Sequence, residues 1–347
     1  MLLLGAGGGG AAGRPARTEL NILTGPESGT YFAVAKDLKR LAEEVVPEAG
    51  VDLDVVPSQG ALQNALEVFR YRSIPLGITQ LDIVAYLSIY GRGNDEARRV
   101  AEGLQVVLPL YQEEVHLLAR GPVKSLASLT DKRVSIGPPG SGTHVTAMVL
   151  LHLAGVHPAD VLTLDFSDAL AALRRGQLDA LFLVGGAPVP ALAAEVMASD
   201  GLALVPVRLQ PVSDEAPLAA YYLPARQSVA LDTPDCARSP GSPPALPGDS
   251  RSETRSSSRS KRPGPSLVAR TYPWQPEPVG TVAVWSGIVT SGTEGCEAIG
   301  ALARMSIDHL GWLRANGHPK WQSVALDDAR LRALPRLSSC VARRLAP

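Results

Sequence analysis

The amino-acid sequence predicts an α/β protein made of two lobes, and three observations lead to this class. Short apolar runs typical of buried strands alternate along the chain with segments whose apolar residues follow helical spacing. A unit of strand, glycine-rich turn and helix occurs twice, with the turns at residues 25–30 and 137–143. The length of 347 residues is sufficient for two lobes with their own cores.

The first lobe begins with one such unit. Apolar residues at Val34, Leu38 and Leu41 predict the helix that follows its turn. Ser58 lies after the second strand and can cap the next helix with its side-chain oxygen. Three strands are predicted for this part of the chain: residues 20–24, Val51–Val56 and 76–79.

The second lobe repeats this order. Two apolar runs at 104–110 and 115–119, separated by the polar residues 111–114, indicate the crossover between the lobes. A helix is expected at 145–154, where Gly155 ends it. The strands of this lobe are predicted at residues 133–137, 161–165 and 178–184, and a later strand at 280–290 precedes a helical tail at 298–313.

Composition defines the remaining segments. Residues 232–270 are rich in serine, proline and arginine, which predicts a disordered insertion because such a segment buries too little surface to offset its ordering entropy. The apolar, glycine-rich start resembles the tail of a signal peptide without its basic region. The resulting division is a disordered leader or truncated signal segment at 1–17, the N-terminal part of lobe 1 at 18–110, lobe 2 at 111–221, a return connection at 222–231, the insertion at 232–270, and a C-terminal part at 271–347 that mainly completes lobe 1.

Charge and cysteine usage narrow the classes of partner. The formal net charge of −1 gives no general attraction to nucleic acid or anionic membranes, so we expect small molecules or proteins as partners. Cys236, Cys296 and Cys340 lie far apart and lack the spacing of a metal site, so we predict neither a metal ion nor a disulfide. We also expect no cofactor.

The two glycine-rich turns are the candidate ligand site. Residues 137–143 are similar to a nucleotide-binding P-loop but lack its lysine, which leaves a turn at a helix start that binds carboxylates as readily as phosphates. Ligands of open α/β sheets lie beyond the carboxyl ends of the strands, so both turns should face one cleft. Backbone N–H groups and Ser and Thr hydroxyls would then hold a carboxylate without a lysine or arginine. In the alternative interpretation, the glycine and serine residues serve only as turn and capping residues.

Several motifs, taken in their order along the chain, resemble one family. They are Gly25-Pro-Glu-Ser-Gly-Thr-Tyr31, Ile78-Thr-Gln-Leu-Asp82, the stretch from Lys124 to Thr143, Gly176-Gln-Leu-Asp-Ala180 and Gly186-Ala-Pro188. Over residues 20–200, and again at 271–273 and 281–285, the chain resembles the TAXI family of TRAP-transporter solute receptors. The resemblance implies a type II periplasmic-binding-protein fold, in which two α/β lobes close on glutamate, glutamine or a related small carboxylate.

The same resemblance implies a function and a ligand shell. It implies a non-enzymatic receptor at the periplasmic or extracellular face of the cytoplasmic membrane, which delivers its ligand to TRAP permease subunits. We expect a monomer that binds no nucleic acid. Two other functions stay open: a nucleotide-binding enzyme that uses residues 137–143, and a periplasmic ligand sensor for a membrane kinase. The ligand shell carried over by position comprises Ser28, Gly29, Thr30, Tyr31, Ser58, Gln80, Ser141, Gly142, Thr143, Gly186, Ala187 and Pro188.

Overall fold

One large β-sheet passes through both halves of the protein. The computed structural model describes residues 17–209, 222–223, 266–267, 271–334 and 336–345. The strands in chain order are β1 (Thr18–Leu23), β2 (Val51–Val56), β3 (Leu76–Gln80), β4 (Gln105–Arg120), β5 (Arg133–Ser135), β6 (Asp160–Leu162), β7 (Ala180–Gly185), β8 (Leu202–Leu204), β9 (Tyr222–Leu223), β10 (Ser266–Leu267), β11 (Val279–Gly280) and β12 (Ala283–Thr290). The α-helices are α1 (Thr30–Arg40), α2 (Ala61–Arg70), α3 (Ile83–Tyr90), α4 (Asp95–Gly103), α5 (Gly142–Leu153), α6 (Phe166–Arg174), α7 (Pro190–Glu195), α8 (Cys296–Asp308), α9 (Leu310–Asn316), α10 (Asp328–Arg332) and α11 (Ser339–Arg344).

The strand order gives both lobes the same plan. In lobe 1, β1 pairs in parallel with β2 and β3, and in lobe 2, β5 pairs in parallel with β6 and β7. The antiparallel strands β4 and β12 lie between these groups, which gives the order β2-β1-β3-β12-β4-β7-β5-β6. Each glycine-rich turn follows the carboxyl end of the first strand of its lobe, β1 or β5. The predicted α/β class with two lobes is confirmed.

Strand β4 crosses from one lobe to the other without interruption. Its first half, around Leu108, pairs with β12, and its second half, around Leu118, pairs with β7. The crossover expected at the polar residues 111–114 therefore lies inside one continuous strand. The two carboxylates of this stretch fit within the strand because they are hydrogen-bonded, Glu113 by two side-chain donors and Glu114 by Lys320 and the N–H of Ala187. The predicted boundary between residues 110 and 111 falls inside β4, and the lobe boundaries stay a prediction.

Neighbouring strand residues face different apolar clusters, so both faces of the sheet are covered. On β4, Leu117 and Leu118 belong to different clusters, as do Ile288 and Val289 on β12. The C-terminal helices pack in the same cluster as β1 and α1, where Trp321 is fully buried. Each such large buried side chain contributes about 1.5–3 kcal/mol. This packing holds the loops at the strand ends in fixed positions.

Two predictions for the C-terminal half need correction. Cys296 and Cys340 form a disulfide with their Cα atoms 5.0 Å apart, although the two cysteines are separated by 44 residues and carry no pairing motif. The predicted insertion at 232–270 lies almost wholly outside the described residues. Within it, Ser266 and Leu267 are described and pair as β10 with β11. The prediction of disorder is wrong at these two positions, because the Leu267 side chain is buried in a core cluster.

Other predicted segments lie mainly outside the described part of the chain. Of the predicted leader at 1–17, only Arg17 is described, and of the return connection at 222–231, only β9. Among the described residues, no helix has the length and apolar character needed to cross a membrane.

Candidate functional site

The first glycine-rich turn folds on itself and starts helix α1. The N–H of Gly29 donates to the carbonyl of Pro26 at 2.7 Å, which closes the turn. Helix α1 then begins at Thr30 with Gly29 as its N-cap, and no side chain caps its N–H groups. Ser28 is exposed at this helix start, whereas Tyr31 is buried. The start of α1 therefore offers N–H groups that can bind an anion.

Ser58 ties the loop after β2 to the first turn. Its N–H donates to the carbonyl of Gly25 at 3.2 Å, and its hydroxyl accepts from the N–H of Gly60 at 3.0 Å. Gly60 is the N-cap of α2, so the predicted capping role of Ser58 is wrong. The buried side-chain amide of Asn64 donates to the carbonyl of Leu23 at the end of β1 and to that of Ile78 inside β3. These bonds bring the three loops of lobe 1 to one edge of the sheet.

The second glycine-rich turn is held by its own serine and threonine. Gly137 and Gly140 have φ angles of 81° and 87°, a left-handed conformation that favours glycine. The Ser141 hydroxyl accepts from an N–H of the first turn of α5 at 3.1 Å and caps that helix. The Thr143 hydroxyl accepts from the N–H of Val184 on β7 at 3.0 Å. Ser141 therefore has the capping role that the alternative interpretation assigns to it, and the Thr143 hydroxyl connects the start of α5 to β7.

The turn of lobe 2 contacts lobe 1 directly. The carbonyl of Gly140 accepts from the N–H groups of Leu62 and Gln63, at the start of α2, at 3.0 and 3.2 Å. Gly142 lies against Gln80, since a Cβ atom added to Gly142 would come within 2.3 Å of Gln80 Oε1. Only a residue without a side chain permits this approach. The two lobes are therefore closed on each other in this structure.

A buried carboxylate lies next to this contact. Glu113 on β4 is 3% exposed, and its Oε2 accepts from the Tyr31 hydroxyl at 3.0 Å and from Gln80 Nε2 at 2.6 Å. Burial raises the pKa of Glu113 to about 7, because the loss of hydration outweighs these hydrogen bonds. Tyr31 and Gln80, both predicted to bind a ligand carboxylate, thus donate to a carboxyl group of the protein itself.

A second buried carboxylate, Asp82, links the lobes. Its Oδ2 accepts from the hydroxyls of Thr146 on α5 at 2.8 Å and Tyr222 on β9 at 3.0 Å. Its Oδ1 is buried and has no hydrogen-bond partner among the described residues. Burial raises the pKa of Asp82 to about 6. The Thr146 hydroxyl also lies 3.3 Å from Gln80 Oε1, which connects the surroundings of Asp82 to those of Glu113.

The turn at residues 186–188 lies beside a lysine. Residues of this turn and of the segment 318–323 line a pocket of about 230 Å³. The Lys320 ammonium is 3.0 Å from Glu114 Oε2, which also accepts from the N–H of Ala187 at 2.7 Å. A Cβ atom on the glycine of this turn would come within 2.5 Å of Lys320 Cε. The sequence indicated a carboxylate site without a lysine, whereas the structure places a largely buried lysine beside one predicted ligand turn.

Comparison with known families decides the identity of the fold. Residues 22–224, more than half of the chain, match the NMT1-like family. The chain belongs to the NMT1-like family. This family is of the periplasmic solute-binding type, and its match together with the strand order confirms the predicted type II periplasmic-binding-protein class.

Solved structures of binding proteins are similar to this NMT1-like chain at low identity. The amino-acid ABC-transporter substrate-binding protein AbpA from Streptococcus pneumoniae, bound to L-arginine, is 12% identical with a TM-score of 0.46, and the match covers 89% of this chain and 97% of that one. A TctC solute-binding protein from Polaromonas is 13% identical with a TM-score of 0.44, and the match covers 95% of this chain and 96% of that one. The alkanesulfonate-binding protein SsuA from Xanthomonas axonopodis pv. citri, bound to MOPS, is 15% identical with a TM-score of 0.43, and the match covers 95% of this chain and 84% of that one. These likenesses are too distant to indicate a ligand for this chain.

Most predicted ligand residues of this NMT1-like chain lie around the contact between the lobes. Those connected to it by the contacts above are Tyr31, Ser58, Gln80, Ser141, Gly142 and Thr143, with Ser28, Gly29 and Thr30 at the start of α1. Gly186, Ala187 and Pro188 lie instead beside Lys320 and Glu114. Their roles toward a ligand stay a prediction. The described residues contain no group of three or more His, Cys, Asp or Glu side chains that could hold a metal ion.

Four residues of the cleft were not predicted from the sequence. Glu113 had a usable signal, because a carboxylate inside an apolar strand must find donors or carry a shifted pKa. Asp82 had a weaker one, since it follows the end of β3 by two residues. Thr146 lies 64 residues from its partner Asp82, and Lys320 lies 206 residues from Glu114, so neither contact has a local sequence pattern.

Proposed function

We propose that this chain is an extracytoplasmic solute-binding receptor of a TRAP-type transporter. It captures a small carboxylate, either glutamate- or glutamine-like or a dicarboxylate, by closure of its lobes and delivers it to the membrane permease. One observation carries this proposal: the two lobes meet at the second glycine-rich turn, which the sequence assigned to the ligand and where Gly140 and Gly142 contact α2 and Gln80.

The surroundings of the contact favour an anionic ligand. Helices α1 and α5 begin at the two turns, and the N-terminus of a helix attracts anions through its free N–H groups and its dipole. Tyr31 at the start of α1 and Gly142 at the start of α5 are linked through Glu113 and Gln80, which supports a common cleft for the two helix starts. A carboxylate between them would receive N–H groups from both lobes and would therefore favour the closed form.

The extracytoplasmic location has a second support. Disulfides persist mainly in oxidising compartments, and Cys296 and Cys340 form one. The assignment to the TRAP type and to its permease subunits rests on the motif resemblance between residues 20 and 200. In this role the protein acts as a monomer without a catalytic reaction.

Ligand binding is tested by thermal unfolding with a panel of small carboxylates. L-glutamate, L-glutamine and succinate serve as probes, and ethanolamine serves as a control without a carboxylate. A ligand at about one hundred times its dissociation constant stabilises the protein by about 2.7 kcal/mol, which raises the melting temperature by several degrees. A melting temperature that no carboxylate raises contradicts the proposal.

Delivery to a permease is tested separately. Uptake of the bound probe into proteoliposomes that contain the permease subunits should require this chain. If the chain binds the probe but uptake does not require it, the chain is still a ligand receptor, and the result favours a ligand sensor for a membrane kinase.

A further inference from the structure

A set of hydrogen bonds connects lobe 1 to lobe 2 around two buried carboxylates, with the single Thr146 hydroxyl proton shared between Gln80 Oε1 and Asp82 Oδ2. We propose that closure of the lobes is coupled to proton uptake at Glu113 and Asp82, so that pH regulates the cleft that the proposed function assigns to the ligand. The inference rests on that function only in requiring lobes that open and close. The bonded residues, in order, are Tyr31, Glu113, Gln80, Thr146, Asp82 and Tyr222.

Glu113 is surrounded in the closed form by groups that do not neutralise its charge. The Tyr31 hydroxyl and the Gln80 amide are its two donors, and both are neutral. Lys320 attracts the carboxylate, but its ammonium is hydrogen-bonded to both oxygens of Glu114. The charge of Glu114, next to Glu113 on β4, acts in the opposite direction, and Tyr111 is the other buried ionisable group of this strand segment. The carboxyl of Glu113 is therefore stabilised in its protonated form.

Asp82 has no cation among the groups that contact it. Its donors are the hydroxyls of Thr146 and Tyr222, and one of its oxygens has no hydrogen-bond partner among the described residues. Tyr86 on α3 and His144 on α5 are titratable groups of these two helices, and their rings lie 6.1 Å from each other. Burial lowers the pKa of His144, so this ring stays neutral near pH 7 and supplies no positive charge.

Opening of the lobes breaks the inter-lobe bond of Asp82 and uncovers Gln80, one of the two donors to Glu113. Thr146 belongs to α5 of lobe 2 and Asp82 follows β3 of lobe 1, so separation breaks their bond and admits water. Separation of Gly142 from Gln80 likewise exposes the side of Gln80 that faces lobe 2. In water the two carboxyl groups return toward their ordinary pKa values of 4.5 for Glu113 and 3.8 for Asp82.

The sign of the coupling follows from these values. In the closed form the pKa is about 7 at Glu113 and about 6 at Asp82. In the open form both pKa values are lower, so the two carboxyl groups lose their protons at a lower pH. Closure therefore takes up protons, and it weakens as the pH rises through this range. Between about pH 5 and about pH 8, the closing constant should fall by at most about 70-fold through Glu113 and at most about 10-fold through Asp82.

The test measures lobe closure in the full chain without ligand. Small-angle X-ray scattering between about pH 5 and about pH 8 gives the closed fraction from the radius of gyration. We expect this fraction to fall as the pH rises. The variant Glu113→Gln should remove most of the pH dependence, and Asp82→Asn should remove the smaller part. Glu102→Gln, at an exposed carboxylate on α4, should behave like the wild type.

Each outcome decides the inference. A closed fraction that does not change with pH overturns it, and so does an unchanged pH dependence in both cleft variants. Far-ultraviolet circular dichroism shows whether each variant is folded, and Glu113→Gln and Asp82→Asn act at separate sites, so one folded variant is sufficient. Because no ligand is present, this result is independent of the carboxylate panel: binding can succeed while proton coupling fails.

Discussion

Replacement of Gly142 by alanine should hold the cleft open. The added Cβ atom would come within 2.3 Å of Gln80 Oε1 and 2.6 Å of Gln80 Cδ, well inside van der Waals contact. The Gln80 side chain is buried and donates to Glu113 at 2.6 Å, so it can move away only by breaking this bond or by separating the lobes. Either change costs the closed form about 1–3 kcal/mol. That is a factor of about 5 to 150 in the closing constant and in the affinity for any ligand that both lobes hold.

The assay for Gly142→Ala combines scattering with calorimetric titration of the carboxylate that the panel identifies. We expect a larger radius of gyration and a weaker affinity than in the wild type. The free energy of unfolding should fall by no more than this cost of about 1–3 kcal/mol, because the lobes can open while the chain stays folded. Gly311→Ala in α9 is the matched control, since a Cβ atom there meets nothing within 4 Å. Equal radius of gyration and equal affinity in Gly142→Ala and the wild type would refute the reasoning.

Two further predictions concern stability. Asp37→Ala removes the acceptor for the N–H of His318 at 2.6 Å and for the indole N–H of Trp321 at 3.0 Å. The free energy of unfolding in urea should therefore fall by about 3 kcal/mol. Asp37→Asn keeps an acceptor oxygen and should lose less, so equal losses in the two variants would count against this account. The disulfide between Cys296 and Cys340 closes a loop of 44 residues. Its reduction should lower the free energy of unfolding by about 4 kcal/mol and lower the melting temperature in reducing buffer. The same melting temperature in reducing and non-reducing buffer would contradict this.

The sequence predicted those parts of the fold that depend on neighbouring residues. Val51–Val56 matches β2 residue for residue, and the glycine-rich turns lie at the carboxyl ends of β1 and β5 as expected. Apolar runs and glycine turns are local signals, so a short segment of the sequence is sufficient to predict the strand or turn it forms. The continuity of β4 is different, because its polar centre at 111–114 is acceptable only through partners elsewhere in the fold.

The candidate site shows the same division between local and distant signals. Gln80 and Gly142 were predicted from strand ends and turns, and the structure brings them into contact. The carboxylate beside them was not predicted as part of the site, because Glu113 meets Gln80 across 33 residues. Lys320 comes from a segment beyond the predicted insertion, and its role beside the turn at 186–188 depends on packing of the C-terminal helices. Such contacts depend on the order of the strands, which no local pattern specifies.

The most direct test of the central claim is a crystal structure of the protein with the carboxylate that the panel identifies. We predict closed lobes, with the ligand carboxylate within hydrogen-bonding distance of N–H groups at the starts of both α1 and α5. The opposite result is a ligand that lies only in the pocket beside Lys320, or one that contacts a single lobe. Either would show that the two glycine-rich turns do not hold the ligand between them.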